Sequence, residues 1–467
     1  MVAKAMLVGG TASHVGKSFM ATAICRALKR RGIKVAPFKA QNMSLNSYPC
    51  SDGGEIGRAQ VVQAEACGLD PVSDMNPVLL KPNGNMSSQV VLNGKVWKNL
   101  SARDYYEHSE FLLGRVLDAY QRLASQYEYI VMEGAGSIAE MNLRTRDMVS
   151  LGIATRVGAP VLLVADIDRG GVFASVVGTY CLLPPEERAL VRSFAVNRFR
   201  GDPSLFEDGV KILEEKTGSP CLGVFPLLEN ARIDEEDSVA LDRPRMSDTS
   251  AVAIIRFPRI SNFTDFRLLP DACWITCPVS GRFDTVILPG TKNTIADLDW
   301  MRLQGLDEWV LRQHAAGANI LGICGGYQML GTHIADPDAV ESDGVSADGL
   351  ALLPVSTVLR SEKTTRVVAA ESPAGARFEA YEIHMGITAR PQGFTAFAAL
   401  LDGEQEGIRV GRCAGTYLHG ALENAALLSE VLGCAVAEPQ PKEKVYDDLA
   451  DWFTAHADQD LFAELYL

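Results

Sequence analysis

The sequence predicts two α/β domains in one chain, the first built around a doubly wound, mostly parallel sheet. A chain of 467 residues is longer than one hydrophobic core usually serves, which favours two or three domains. Residues 1–225 alternate short apolar runs with stretches of helical spacing, the order typical of a parallel sheet covered by helices on both faces. A second α/β series follows residue 250. We therefore expect ligands at the carboxyl ends of the strands.

The first domain is predicted to span residues 1–228. Its strands are predicted at residues 5–8, 34–38, 129–132, 161–165, 193–196 and 222–225, and its helices at 17–31, 55–67 and 104–125. Residues 229–249 are acidic and polar with little apolar periodicity, which predicts a linker.

The second domain is predicted to span residues 250–430. Its strands are predicted at residues 251–257, 285–288 and 319–323, and its helices at 301–315 and 326–333. Residues 431–467 form a tail that we expect to end in a helix packed on the surface.

Composition excludes several classes of protein. A net charge of −14 argues against a general nucleic-acid binder, which needs a basic surface to neutralise phosphates. No stretch approaches the ~20 apolar residues of a membrane span, and the N-terminal apolar run is too short for a signal peptide. The ten cysteines are scattered, which indicates reduced thiols and a cytoplasmic protein. We expect a monomer or small homo-oligomer.

A glycine-rich loop between the first strand and the first helix predicts a phosphate site. Its glycines allow backbone N–H groups to converge on phosphate oxygens, while Lys17 adds charge and the Ser18 hydroxyl can ligate Mg²⁺. Five residues separate its glycines, where the common pattern has four. The predicted nucleotide-binding residues of the loop are Gly10, Thr11, Ser13, Gly16, Lys17 and Ser18.

Acidic and basic side chains at other strand ends could complete this site. Glu133 ends the strand at 129–132, where a carboxylate would suit Mg²⁺ or cap a helix. Either Asp52 or Glu55 could supply a second magnesium oxygen. Lys39 could stabilise charge during phosphoryl transfer, or be an exposed lysine.

Cys324 has the surroundings of a nucleophile. It stands between an apolar strand and a helix start, bracketed by glycines at 322, 325 and 326. Such a sharp turn exposes one side chain, and a helix N-terminus favours thiolate over thiol. The N–H of Gly325 would form half of an oxyanion hole, with the other half at Gly290 in the loop after the preceding strand.

A cysteine nucleophile needs a base, usually histidine. Among seven histidines, His419 lies just past a short β-like run and next to a glycine, which makes it the first candidate. His384 is the second, and it could instead be structural or contact the other domain.

Residues 322–328 and 418–420 resemble the class I glutamine amidotransferase domain, in which a cysteine forms a glutamyl thioester and releases ammonia. Most of that class carry a carboxylate two residues after the histidine, where this chain has Ala421. The partner that orients His419 is therefore open between Glu423 and a backbone carbonyl.

Several further blocks resemble the cobyric acid synthase family, and the phosphate loop is similar to that of dethiobiotin synthetase-like ligases. The likeness covers about residues 5–430 and includes the blocks at residues 37–47, 55–60, 75–82, 166–174, 197–202 and 288–294. It implies an N-terminal P-loop domain that binds ATP and Mg²⁺, with Asn197 in the nucleotide site, and a C-terminal glutaminase domain.

The resemblance also implies the reaction. Glutamine would supply ammonia, and ATP would activate the b, d, e and g carboxylates of a corrinoid, adenosylcobyrinic acid a,c-diamide. Gln41, Asn42 and Asn46 could contact that corrinoid or cap turns. Two alternatives stay open: a cobyrinic acid a,c-diamide synthase, and an ATP-binding regulatory module with an inactive glutaminase domain.

Overall fold

The computed structural model describes residues 3–83, 87–228, 251–341 and 345–467, so the predicted linker at 229–249 lies outside the described residues. The strands of the first domain are β1 Lys4–Gly10, β2 Val35–Phe38, β3 Gln41–Met43, β4 Ser47–Pro49, β5 Glu55–Gly57, β6 Val78–Pro82, β7 Ser87–Leu92, β8 Lys95–Ser101, β9 Tyr129–Glu133, β10 Val161–Asp166, β11 Val191–Phe199 and β12 Cys221–Pro226. Its helices are α1 Lys17–Arg30, α2 Arg58–Cys67, α3 Ala102–Glu107, α4 Ser109–Ala124, α5 Leu151–Val157, α6 Val172–Leu182, α7 Pro185–Arg188 and α8 Glu207–Thr217.

The main sheet of this domain is six-stranded, in the order β12-β11-β10-β1-β9-β2, with every pair parallel. Strands buried on both faces read as continuous apolar runs, and β10 is buried along its whole length. The loop after β1 lies at the carboxyl edge of the sheet, between the ends of β9 and β10. The predicted doubly wound fold is confirmed, and it brings the glycine-rich loop to the edge where ligands bind.

A smaller sheet, β3-β6-β7-β8, was absent from the sequence prediction. It pairs β3 with β6 in parallel and continues through antiparallel β7 and β8. The helix predicted at 55–67 begins only at Arg58, because Glu55–Gly57 pairs with β4. The helix predicted at 104–125 is two helices that meet at His108.

The strands of the second domain are β13 Val252–Ile255, β14 Cys273–Ile275, β15 Thr285–Leu288, β16 Asn319–Ile323, β17 His333–Ala335, β18 Ser346–Asp348, β19 Ser356–Glu371, β20 Arg377–Ala389, β21 Ala398–Leu400, β22 Gln405–Glu406, β23 Ile408–Val410 and β24 Cys413–Thr416. The helices in this part of the chain are α9 Thr294–Leu303, α10 Leu306–Ala315, α11 Gly325–Leu330, α12 Ala425–Leu432, α13 Lys442–His456 and α14 Gln459–Tyr466.

The central sheet of this domain runs β14-β13-β15-β16-β24-β23 and is parallel except for its last pair. The strands β13, β15, β16 and β24 all end at one edge. The helix predicted at 301–315 is divided, because Gly305 takes a φ of 70° between α9 and α10. The helix predicted at 326–333 ends at Leu330, and His333 already belongs to a strand.

The C-terminal helices pack on the first domain rather than lying on the surface of the second. Phe453 and Phe462 are fully buried in the cluster that contains the inner face of α1. The Tyr466 hydroxyl donates to the Val161 carbonyl of β10 at 3.1 Å. The tail therefore completes the core of the first domain, a tertiary contact that its amphipathic pattern alone does not specify.

Candidate functional site

The loop after β1 has the geometry of a phosphate cradle. Gly16 has a φ of 94°, and a Cβ there would lie 2.2 Å from the Asn197 side chain, so only glycine fits. Lys17 Nζ donates to the carbonyls of Ala12 and Gly136, at 2.9 Å each. Asn197 Nδ2 donates to the Val15 carbonyl at 2.9 Å, so this side chain supports the loop from behind.

A buried carboxylate stands beside this loop at the end of β9. Glu133 Oε1 accepts from Ser18 Oγ at 2.8 Å and pairs with Lys39 Nζ at 3.0 Å. Gln63 donates to the other oxygen, Oε2. Lys39 is only 2% exposed, so it is not the surface lysine that the sequence allowed as an alternative. The loop, Ser18, Lys39 and Glu133 therefore form one cluster.

A cavity of about 1160 Å³ opens beside this cluster. Gln41 and Asn42 lie in its wall, as two of the three predicted corrinoid contacts. The cavity also carries basic side chains that sequence reasoning did not single out: Arg144, Arg146, Arg169 and Arg198. Acidic side chains share this lining, among them Glu187, and Arg144 and Arg198 already pair with Glu187 and Asp166 at 3.1 and 3.0 Å.

Asp52 and Asn46 are not in this lining, which corrects both expectations. Asp52 caps a turn, where its carboxylate accepts from Gly54 N at 3.1 Å and Ser73 N at 2.9 Å. Asn46 lies against the second domain and accepts a hydrogen bond from Phe263 N at 3.0 Å. The local sequence around Asp52 and Asn46 could not show where these residues lie relative to the phosphate loop, because their positions depend on how β3, β4 and β5 fold.

Glu55, the alternative to Asp52, is also committed elsewhere. It pairs with Lys81 at 3.2 Å and with Lys363 of the second domain. Burial raises the pKa of the Glu55 carboxyl, but Lys363 and Lys81 together lower it by more than that, so the resulting pKa is about 2. Glu55 is thus an interdomain ion-pair residue.

Cys324 occupies a strained turn between β16 and α11. Its φ of 51° and ψ of −109° are rare for a residue with a side chain. A Cβ on Gly326 would lie 1.9 Å from the Leu288 carbonyl oxygen, so the neighbouring glycine is required by close packing. The thiol is 7% exposed and its Sγ lies 3.8 Å from the Ile383 carbonyl oxygen.

His419 is oriented by Asp265, a residue that sequence reasoning missed. Its Nδ1 lies 2.7 Å from Asp265 Oδ2, and Gly420 N donates to Asp265 Oδ1 at 2.7 Å. Both candidates from the sequence are therefore wrong, since Glu423 pairs instead with Arg267 at 2.9 Å. Asp265 precedes His419 by 154 residues. The one sequence feature that pointed to Asp265 was its position after β13, because β13 ends at the same edge of the sheet as β16 and β24.

The charge environment of His419 suits a base paired with a thiol. Burial lowers the pKa of the His419 imidazole, but the Asp265 carboxylate and Cys324 raise it by more than that, so the resulting pKa is about 10. Because Nδ1 faces Asp265, Nε2 is the nitrogen left for the thiol. His384 instead stacks on Tyr417, with ring centroids 3.8 Å apart, and its Nδ1 contacts the Gly386 carbonyl oxygen, which is a structural role.

The two loops predicted to form an oxyanion hole touch each other. Gly326 N donates to the Pro289 carbonyl at 3.1 Å. A Cβ on Gly290 would lie 2.9 Å from His419 Cε1, and one on Gly325 would lie 2.6 Å from Thr291 Cγ2. Gly290 therefore lies against His419, and Gly325, next to Cys324, lies against the loop that carries Gly290.

Metal-binding clusters and membrane-spanning helices are both absent from the residues that the structure describes. Residues 3–83, 87–228, 251–341 and 345–467 contain no group of three or more histidine, cysteine or acidic side chains placed to hold a metal ion. In the same parts of the chain, no helix has the length and apolarity needed to cross a membrane.

Two family models match the chain. Residues 6–239 match the CobQ/CobB/MinD/ParA nucleotide binding domain, and residues 251–427 match the CobB/CobQ-like glutamine amidotransferase domain. These matches cover the two halves in which the structure places the phosphate loop and the cysteine centre.

Curated relatives match over nearly their full length. A cobyric acid synthase of Dehalococcoides mccartyi is 44% identical over 98% of this chain and 97% of its own. One of Parabacteroides distasonis is 46% identical over 97% of this chain and 96% of its own. A solved glutamine amidotransferase is 18% identical, with a TM-score of 0.32, over 39% of this chain and 100% of its own.

Proposed function

The chain belongs to the cobyric acid synthase family, and on that premise we propose that it converts adenosylcobyrinic acid a,c-diamide to adenosylcobyric acid. The reaction amidates the b, d, e and g carboxylates with ammonia from glutamine, at the expense of ATP. The observation that carries the proposal is the presence in one chain of a Cys324–His419–Asp265 constellation and a separate phosphate loop beside Glu133.

Glutamine hydrolysis uses the cysteine centre. His419 Nε2 takes the proton of the Cys324 thiol, and the thiolate attacks the carboxamide carbon of glutamine. The N–H groups of Gly290 and Gly325 would stabilise the oxyanion that forms. The imidazolium returns its proton to the leaving nitrogen, ammonia departs, and water then hydrolyses the thioester to glutamate. Asp265 keeps the imidazole in the tautomer that this exchange needs.

Carboxylate activation uses the phosphate loop. A corrinoid carboxylate oxygen attacks the γ-phosphorus of ATP, which gives an acyl phosphate and ADP, while Lys17 and Lys39 stabilise the charge on the transferred group. Ammonia then attacks the acyl carbon, inorganic phosphate leaves with the bonding electrons, and the nitrogen loses a proton. The cysteine centre releases ammonia in its unprotonated form, and its production within the same chain would raise its local concentration at the acyl phosphate.

Ser18 and Glu133 are the residues that would hold Mg²⁺. Their oxygens lie 2.8 Å apart at the loop, and a hydroxyl with one carboxylate is a donor set that this hard cation accepts. Bound there, Mg²⁺ would neutralise phosphate charge. Asp52 caps a distant turn and is not part of this proposal.

The large cavity is the proposed corrinoid site. Its volume of about 1160 Å³ extends from the loop to Tyr105 and Arg146, and arginines in its lining could exchange their present carboxylate partners, such as Asp166, for substrate carboxylates. Gln41 and Asn42 would contact the amides and carboxylates at the periphery of the macrocycle.

Product mass after incubation with each candidate corrinoid tests this function. The purified chain with ATP, glutamine and adenosylcobyrinic acid a,c-diamide is expected to give the product of four amidations. Amidation of cobyrinic acid at the a and c positions alone would instead identify the sister synthase. Release of glutamate without any corrinoid product from either substrate would contradict the proposal.

A further inference from the structure

A short segment of the first domain holds the turn that carries Asp265. Asn46 Oδ1 accepts from Phe263 N at 3.0 Å, and Ser47 N donates to Asn262 Oδ1 at 3.0 Å. We name these two reciprocal hydrogen bonds the interdomain clamp. Its four residues are all less than 9% exposed, so water does not replace either bond easily.

The clamp holds the turn at Asn262, whose backbone is left-handed. Asn262 has a φ of 52°, a left-handed conformation that is uncommon outside glycine but that asparagine adopts more readily than most residues. Asp265 follows in the Phe263–Phe266 turn, and its backbone N–H donates to the Asn262 carbonyl at 3.1 Å. The residue before Asn262 is tied as well, since Ser261 N donates to the Gly290 carbonyl at 2.9 Å.

Tyr48, the residue after Ser47, is linked to the His419 imidazole through the ring of Tyr381. Tyr48 lies 4.7 Å from the Tyr381 ring, and Tyr381 stacks on His419 at 5.5 Å with an interplanar angle of 25°. Arg58 of α2 covers Tyr48 at 5.0 Å and pairs with Glu423 at 3.5 Å. The first domain thus supports both the carboxylate and the ring behind His419.

From this geometry we infer that Asn46 and Ser47 are positioning residues of the glutaminase, supplied by the ATP-binding domain. They act through Asn262 and Phe263 on Asp265, which sets the orientation and charge of His419. Docking of the two domains is then a condition for glutamine hydrolysis. This inference rests on the proposed role of the Cys324–His419–Asp265 constellation.

The decisive variant is Asn46→Ala in the full-length chain. Asn46 acts on Asp265 only through the backbone of Phe263. Outer hydrogen-bond partners of metal ligands contribute ~10–100-fold to activity, and we expect a fall in kcat for glutamate release at the lower end of that range. KM for glutamine and ammonia-dependent amidation should stay within about twofold, since neither site loses a contact. Asn46→Asp keeps an oxygen acceptor and should restore most of kcat.

The pH profile separates positioning from a general structural effect. The groups that face the imidazole are Asp265, Cys324 and the Tyr381 ring, with Arg58 and Glu423 beyond that ring. A looser Asp265 supports the imidazolium less, so the loss of glutaminase activity at high pH should begin at a lower pH in Asn46→Ala. Asn46→Asp should return this limb toward the wild-type position.

Two controls frame the result. Asn99→Ala makes the same change at an exposed position of the first domain, and Lys363→Met removes a different interdomain contact, the ion pair with Glu55. Both should keep the wild-type high-pH limb. An equal displacement of that limb in Lys363→Met, or an unchanged kcat in Asn46→Ala, would overturn the inference.

Failure of folding does not end the test. If Asn46→Ala gives no folded protein, Asn262→Gly removes the other clamp bond from the second domain while suiting the φ of 52°. The same fall in kcat without a change in KM is expected, and wild-type kinetics would overturn the inference. Glutamate release by Cys324→Ala would instead show that the proposed function itself is wrong.

Discussion

The two centres of this chain differ in what holds their reactive groups. In the glutaminase centre, a strained backbone fixes Cys324 and a buried carboxylate fixes His419. In the nucleotide centre, Lys17 makes hydrogen bonds to backbone carbonyls and its neighbours line a cavity of about 1160 Å³. The difference fits the proposed substrates, since one small amide can be held in a single pose, whereas a macrocycle would present several carboxylates in turn.

The sharpest test of this division is Cys324→Ala. Removal of the nucleophile should lower glutamine-dependent amidation by about 10⁴-fold or more, while amidation with added ammonia continues near the wild-type rate. Product mass measured with each nitrogen source checks both halves. Cys434→Ala, at an exposed position, is the matched control and should change neither. Loss of ammonia-dependent activity in Cys324→Ala would show that the centres are not separable.

Asp265→Asn tests the orientation of the base. The neutral amide carries no charge to support the imidazolium, and its NH2 can donate to Nδ1 and favour the wrong tautomer, so we expect kcat for glutamate release to fall on the order of 10²–10⁴-fold. Asp265 and Cys324 raise the pKa of His419 to about 10 against the lowering by burial, so the active imidazolium is lost only as pH rises toward that value.

Without the carboxylate, the pKa of His419 falls, and the high-pH limb of residual activity should shift to lower pH. The test compares the pH dependence of glutaminase activity in Asp265→Asn with that in Asp271→Asn, a control at an exposed position. A wild-type profile in Asp265→Asn would refute the assignment.

Lys17→Ala probes the other centre. It removes one charge from the phosphate loop, and we expect amidation to fall about 10²–10³-fold with either nitrogen source, since charge stabilisation of the transferred phosphoryl group is lost. Basal glutamate release should stay within about twofold. Lys216→Ala, an exposed change on α8, is the control. Full amidation by Lys17→Ala would remove the loop from the mechanism.

The smallest expected effect concerns the interface between the two domains. Glu55→Gln leaves Lys81 and Lys363 without their carboxylate, and we expect a loss of about 2 kcal/mol in the free energy of unfolding. The pKa of Glu55 is lowered to about 2, so its contribution is complete above its ordinary value and is lost as pH falls toward 2.

The difference in urea midpoint between wild type and Glu55→Gln should therefore shrink as the pH falls below about 4.5. Glu215→Gln, an exposed control on α8, should not change the midpoint at any pH. A constant difference between wild type and Glu55→Gln across that range would show that the ion pairs do not supply the stability.

The sequence by itself determined the features that a few neighbouring residues impose. The glycines around Lys17 and Cys324 dictate tight turns between strand and helix, because the φ of 94° at Gly16 and the packing at Gly326 permit no side chain. The alternation of apolar runs predicted the parallel sheet of the first domain and a second α/β series after residue 250, and the site residues Glu133 and His419 were chosen from strand ends.

The tertiary structure alone decided which distant groups meet. Asp265 reaches His419 across 154 residues, and Asn46 contacts the second domain instead of lining the large cavity of the first. The tail helices join the core of the first domain. Local patterns specify the conformation of a segment and its buried face, but the partner of that face is chosen by the packing of the whole chain, which no single segment encodes.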